Sequence, residues 1–359
     1  MNSVLVSHEK IDTSITGAVA YRIRYSSHDV QAKPTESTGL VIAPAASGEN
    51  RKVLSWAHGT TGIGDACCPS AQPDPARELV TYFQSNSPTE IDYGVPGLQS
   101  FIDDGWVVVA TDYQGLGTPG MHQYTVNITN AIDAVMIVHA AREMPVGAGN
   151  KFGVIGWSQG GGTAAATAEL DAEVYGELEL VGTVAQSPGI PSMALKVPGM
   201  GTALASGNVP ADGHLVMILA GMATAWPETL SWDDMFTPVG KKFIHENWNT
   251  QPNHHFTDIL VRTAKHEGPI NVINKDKLPA WVAAFTASSA GQRKPICPVL
   301  VQIDAQYDGP CPRNWQDAYI ATVTDLGGDV SFTAYDNDDH FSLPQAAIGE
   351  AHAWLAAKF

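Results

Sequence analysis

Six short apolar runs alternate with helix-like segments along this chain, and that alternation restricts the fold more than any other feature of the sequence. The runs are 53–57, 106–111, 152–156, 180–185, 299–303 and 330–335. Each is rich in Val or other large apolar residues and hydrophobic at nearly every position, as a strand covered on both faces must be. Stretches 130–143, 161–174, 313–326 and 345–357 read as helices. Ahead of them, residues 19–25 alternate and 39–42 follow, which predicts an opening antiparallel pair. An antiparallel start followed by strand–helix alternation predicts an α/β fold, with a mostly parallel central sheet and helices on both faces. Ligand sites in such sheets lie beyond the carboxyl ends of the strands, so the chemistry is expected in strand-to-helix loops.

One region interrupts the pattern. Residues 188–295 are rich in Pro, Gly, Trp and Met, with helix-like pieces at 214–225 and 276–287 and no strand of the main sheet. A long excursion between two sheet strands is read as an inserted cap or lid. The expected organisation is therefore a core of residues 1–187 and 296–359 with a helical cap at 188–295.

Gly156-Trp157-Ser158-Gln159-Gly160-Gly161-Gly162 follows the run at 152–155 and precedes an alanine-rich helix. Strand before, helix after and glycines two positions either side of a serine are what a strained nucleophile-bearing turn requires. Such a turn lifts the Ser158 hydroxyl above the sheet. It also sets the Gln159 amide, at a helix N-terminus, where an oxyanion forms. The competing reading is a glycine-rich turn that only packs a helix on the sheet.

A serine hydroxyl needs a base, and the base an orienting carboxylate. In the α/β-hydrolase fold the order along the chain is Ser, then Asp or Glu, then His. After the last run comes Asp336-Asn337-Asp338-Asp339-His340-Phe341, where His340 is the loop's only histidine. The carboxylate belongs in Asp304-Ala305-Gln306-Tyr307-Asp308-Gly309-Pro310, where Asp308 is preferred over Asp304 because it stands farther into the loop, before Gly-Pro and a helix. Asp338 and Asp339 adjoin His340 in sequence and are poorly placed for the bent geometry of a triad. A second oxyanion amide is expected from the loop opening His58-Gly59-Thr60-Thr61-Gly62, with Thr60 preferred to Thr61 and His58 as a loop-orienting residue.

These blocks resemble a known family. His58-Gly59-Thr60-Thr61-Gly62 with Cys67-Cys68-Pro69-Ser70, then Thr111-Asp112-Tyr113-Gln114-Gly115-Leu116-Gly117, then the Gly-x-Ser-x-Gly-Gly turn are similar to the secretory lipases, whose members include fungal lipases of the lipase A type and bacterial relatives. The resemblance runs from the first strand through Pro188 and resumes at Pro298. It implies an α/β-hydrolase core, a helical cap inserted before the strand bearing the acid, and hydrolysis of carboxylic esters by Ser158, Asp308 and His340. The cysteines lean towards export, so a secreted or periplasmic location is the expectation although no signal segment is visible at the start of this sequence, with a cytoplasmic one left open.

Substrate and partners are read from composition. The formal net charge of −17 repels a phosphate backbone, so nucleic acid is not an expected partner. No apolar run approaches the ~20 residues that span a bilayer. No Cys/His cluster has zinc spacing, and the chemistry requires no metal or organic cofactor. A small-molecule or lipid ester of short-to-medium acyl chain is the expected substrate, with Asp112, Tyr113, Trp226 and Phe236 as candidate binding residues. Most of the cap's aromatic and Met side chains are expected to form its own core. Cys67 or Cys68 is a candidate partner for Cys311, whereas a buried thiol is the ordinary state of each. The competing functions are a serine peptidase or acyltransferase with the same triad, and a non-catalytic binding protein.

Overall fold

The computed structural model describes residues 3–197, 200–207, 209–304 and 309–359. Nine strands of the described residues form one sheet: β1 (Leu5–Ile11), β2 (Ala18–His28), β3 (Pro34–Pro44), β4 (Arg51–Ala57), β5 (Val107–Thr111), β6 (Ala148–Trp157), β7 (Glu179–Gln186), β8 (Val299–Asp304) and β9 (Val330–Tyr335). Their order is β1-β2-β3-β5-β4-β6-β7-β8-β9. The β1, β2, β3 and β5 pairings are antiparallel, and every pairing from β5 through β4 to β9 is parallel. All six apolar runs of the sequence are strands of this sheet. β1 is additional: five of its seven residues are exposed, so it has no apolar run to betray it.

The continuous apolar runs have a simple physical cause. Side chains alternate between faces with a period of two, and both faces are covered except at the edge strand β9, where three of six residues are exposed, against the expectation of double burial. Val53, Val109, Phe152 and Val154 pack in one core with helices Asn127–Arg142 and Gln159–Thr167. Leu54, Trp56, Val108, Ile155 and Trp157 pack in another with helices Leu98–Asp103 and Leu343–Ala356. The single helix expected at 161–174 is two, Gln159–Thr167 and Ala172–Tyr175. The break between them is in use: the Glu169 carboxylate accepts the amides of Gly291, Gln292 and Arg293, and Ala168 O accepts Ile296 N. These contacts fasten the end of the excursion that separates β7 from β8.

That excursion is helical among its described residues, with Gly213–Ala225, Pro238–Asn247, Asn253–Glu267 and Leu278–Ser288 as its longer elements. Met217, Met222, Met235, Phe243 and Trp281 form its own core, joined by Ile63, Met121, Tyr124 and Val126 from the sheet side. The first of these helices starts where Asp212 accepts the Leu215 amide at 2.8 Å, supplying the free N-terminal donors with an acceptor. No helix of the described residues is long and apolar enough to cross a membrane.

Candidate active site

Ser158 stands between β6 and helix Gln159–Thr167 with φ 58° and ψ −116°. This conformation is costly for a residue with a Cβ, by about 1–3 kcal/mol, and persists only where its surroundings fix it. Here they do. Ser158 N donates to Gln186 O at 2.9 Å, and Ser158 O accepts from Gly162 N at 3.1 Å and Gly189 N at 2.8 Å.

The flanking glycines are sterically required. A Cβ on Gly156 would lie 2.0 Å from Gly160 O, and one on Gly160 would lie 1.9 Å from Ala57 O. The obstacles are backbone atoms, which cannot rotate aside. Gly160→Ala is accordingly expected to lower unfolding free energy by about 2–3 kcal/mol, read from urea denaturation. An unchanged midpoint would mean that the turn yields.

His340 lies in the turn after β9. Its carbonyl accepts the Trp157 indole N–H at 2.8 Å, so the residue preceding the serine anchors the histidine loop. Asp338 and Asp339 are committed to that turn. Asp339 Oδ1 accepts the amides of Phe341 at 3.0 Å and Ser342 at 2.8 Å, while Asp338 Oδ1 accepts the Ser342 hydroxyl. Ser158 and His340, far apart in sequence, are both buried, at 5% and 4% exposure, and line the same cleft. Asp308 lies outside the described residues. Gly309 and Pro310, immediately after it, line the space around Ser158. Asp304 is buried at the end of β8, level with Tyr335.

Two clefts meet at Ser158. One, of about 210 Å³, is edged by Thr60, Tyr82, Asp92, His254, His340 and Phe341. The other, of about 470 Å³, is more apolar and is lined by Ile190, Pro191, Leu215, Ile218 and Trp315 with Tyr124. Thr60 borders the first and Gln159 the second, each together with the serine. Among the described residues neither amide donates a hydrogen bond within the fold. Thr61 borders neither cleft, and its carbonyl accepts Asn253 N at 2.9 Å. His214, on the first turn of its helix, borders both clefts, and its ring is depressed below the ordinary histidine range by burial. Sequence reading missed His214, Leu215 and Ile218 because nothing in the spacing of an inserted helix says which face meets the serine, and Tyr82 because it stands in the long connection between β4 and β5, which carries no periodic pattern.

Four expected binding residues lie elsewhere. The Asp112 carboxylate accepts the Ser70 amide at 2.8 Å and the Ser70 hydroxyl at 2.5 Å, ordering the loop after β4. Tyr113 donates to His58 O at 3.0 Å and packs its ring at a tilt against the His58 ring, while His58 bridges Gly59 O and Asp112 O. Trp226 donates its indole N–H to Ser288 Oγ at 2.8 Å, and Phe236 is buried in the excursion's core. None of the four borders either cleft at Ser158. Asp112 and Tyr113 support the loops that flank the serine, and Trp226 and Phe236 satisfy the apolar demand of their own helices. The candidate pairing of Cys67 or Cys68 with Cys311 is not formed, and Cys67 and Cys68 are buried thiols, the ordinary state expected of them. Cys67 instead donates to Gln251 O, and burial pushes its thiol up to about 12.

Comparison with known proteins agrees with this architecture. The family model described as secretory lipase matches residues 85–359. Among solved structures, the rice cell wall degrading esterase LipA from Xanthomonas oryzae, in a ligand-bound form, superposes with a TM-score of 0.69 at 17% identity, covering 99% of this chain and 96% of that one. Candida antarctica lipase A gives a TM-score of 0.72 at 15% identity over 99% of this chain and 82% of its own. A putative hydrolase from Legionella pneumophila gives 0.67 at 15% identity, with 99% and 98% covered. No curated protein sequence matches the chain significantly. The fold is that of the α/β-hydrolases, and the chain, a carboxylic ester hydrolase, belongs to the secretory lipase family.

Proposed function

We propose that the protein hydrolyses esters of short-to-medium acyl chain through an acyl-enzyme on Ser158. The observation that carries this reading is the meeting of a strained, buried serine and a buried histidine on one cleft at the carboxyl edge of the sheet. His340 takes the Ser158 proton as the hydroxyl attacks the ester carbonyl, and Asp308 holds the imidazole in the required tautomer. The amides of Gln159 and Thr60 receive the oxyanion. Donors of this kind are each worth roughly 3 kcal/mol in related chemistry. His340 then protonates the departing alcohol, and water repeats the sequence to release the acid.

The more apolar cleft is the acyl pocket in this reading, and the smaller, more polar one receives the alcohol. Hydrolysis of p-nitrophenyl esters from acetyl to palmitoyl tests it, with an optimum expected between butyryl and octanoyl. Ile218→Trp fills the acyl pocket and is expected to lower kcat/KM for octanoyl esters about tenfold or more relative to acetyl. A parallel loss on both esters would place the acyl chain elsewhere. A folded protein inert on every ester, yet active on peptides or in acyl transfer to added alcohol, would overturn the hydrolytic assignment.

A further inference from the structure

Thr60 and Gln159 sit on two different loops, and no backbone ladder fixes the distance between them. The β4–β6 register ends at Ala57 opposite Gly156, short of both. Oxyanion donors work only within about 2.7–3.1 Å of the charged oxygen, so their spacing must be held by something else. Both side chains are tied to the same short segment after β5. Gln159 Nε2 donates to His122 Nε2 at 2.6 Å, and the Thr60 hydroxyl pairs with the Tyr124 hydroxyl at 2.6 Å.

Each tie has a defined chemistry. His122 Nδ1 lies 2.7 Å from Gln114 O, a carbonyl that only accepts, so Nδ1 carries the proton. Nε2 then presents a lone pair, which the Gln159 amide N–H requires. Burial pushes the His122 imidazole down to about 3, so it stays a neutral acceptor at neutral pH. The segment itself is rigid. His122 N donates to Ile63 O at 3.1 Å, Gln114 N donates to Asp133 at 2.7 Å, and Tyr113 stacks on the His122 ring. From the other side the helix Gly213–Ala225 presses on it: a Cβ at Gly221 would lie 2.5 Å from Tyr124 N.

We infer that His122 and Tyr124 are positioning residues that together set the spacing of the two oxyanion-binding amides, His122 through the Gln159 side chain and Tyr124 through the Thr60 side chain. The inference rests on the reading of Gln159 and Thr60 as the donors. A displacement of about 1 Å at such a site costs on the order of 10²-fold in rate.

The test uses the full chain, p-nitrophenyl butyrate, and a pair of ketones of equal length, one a trifluoromethyl ketone and one a methyl ketone. Ser158 Oγ adds to the trifluoromethyl ketone carbon, its proton passes to His340, and the carbonyl electron pair becomes an oxyanion. The methyl ketone, far less electrophilic, reports ground-state binding. In Tyr124→Phe and His122→Phe, kcat is expected to fall about 10- to 100-fold, with KM little changed and the trifluoromethyl ketone Ki rising by the same factor as kcat falls. The pH midpoint of kcat/KM should stay where it is, because His340 is untouched. His122→Gln, whose amide oxygen reaches the place of Nε2, should recover most of the loss. Urea midpoints identify any variant that is not folded, and Tyr124→Phe, which removes one oxygen, decides the matter if His122→Phe does not accumulate. Folded variants that bind the trifluoromethyl ketone as tightly as the native enzyme would remove the clamp and leave the donors. A native enzyme that binds it no better than the methyl ketone would remove the donor assignment itself.

Discussion

Ser158→Ala is expected to lower kcat for p-nitrophenyl butyrate by about 10⁴- to 10⁶-fold while the protein stays folded. The magnitude follows from losing the nucleophile where nucleophile and base act as a unit, so that removing either forfeits nearly all of their joint effect. What survives is the contribution of binding and of the oxyanion donors, on the order of 10³-fold over water. Folding is spared because alanine meets the same backbone demand at φ 58° as serine does, and the fixing bonds to Gln186, Gly162 and Gly189 are all main-chain. The readouts are steady-state kinetics and covalent labelling by a fluorophosphonate, which should tag the native chain once and the variant not at all. Retention of a tenth of native activity would move the nucleophile elsewhere.

Asp308→Asn is expected to cost about 10⁴-fold in kcat, because an amide favours the wrong imidazole tautomer and cannot stabilise its cation. Asp304→Asn is the discriminating partner. Asp304 ends a strand, buried in register with Tyr335, whereas Asp308 directly precedes residues that line the space around Ser158. The Asp304 variant should therefore keep kcat within about tenfold and show its effect in the urea midpoint instead. The reverse pattern would transfer the acid role to Asp304.

How much of this was legible in the sequence depends on how local the determining physics is. The inner parallel strands were readable because double burial makes them mostly apolar, as over 53–57 of β4 and in β5. The serine turn was readable because only glycine escapes the contacts at positions 156 and 160. β1 was not, since an exposed edge strand carries no apolar run, and the helix break at 168–171 was not, since the carboxylate within it is used on residues 291–293, far along the chain. Trp226 and Phe236 look like pocket residues by composition alone. Whether an aromatic lines a cleft or fills a helix interface depends on which face of an inserted helix is turned inward, and periodicity leaves that open. His122 and Tyr124 were hidden for a related reason, because their partners are about 40 and 60 residues away on other loops.

The long excursion leaves the sheet at β7 and returns at β8, and these are adjacent parallel strands, joined just past the exit by Ser187 N to Gln302 O at 2.9 Å. Its two ends are thus fixed by the sheet, Gln186 at the carboxyl end of β7 and Val299 at the start of β8, whatever lies between them. Closing a loop between fixed ends grows costlier only logarithmically, by about 0.6 kcal/mol for each doubling of length. The length of the insertion thus adds little loop-closure cost, and most of the apolar wall at Ser158 belongs to it. Substrate range in this scaffold is therefore open to change by exchange of one segment, with the strands that carry the catalytic loops left as they are.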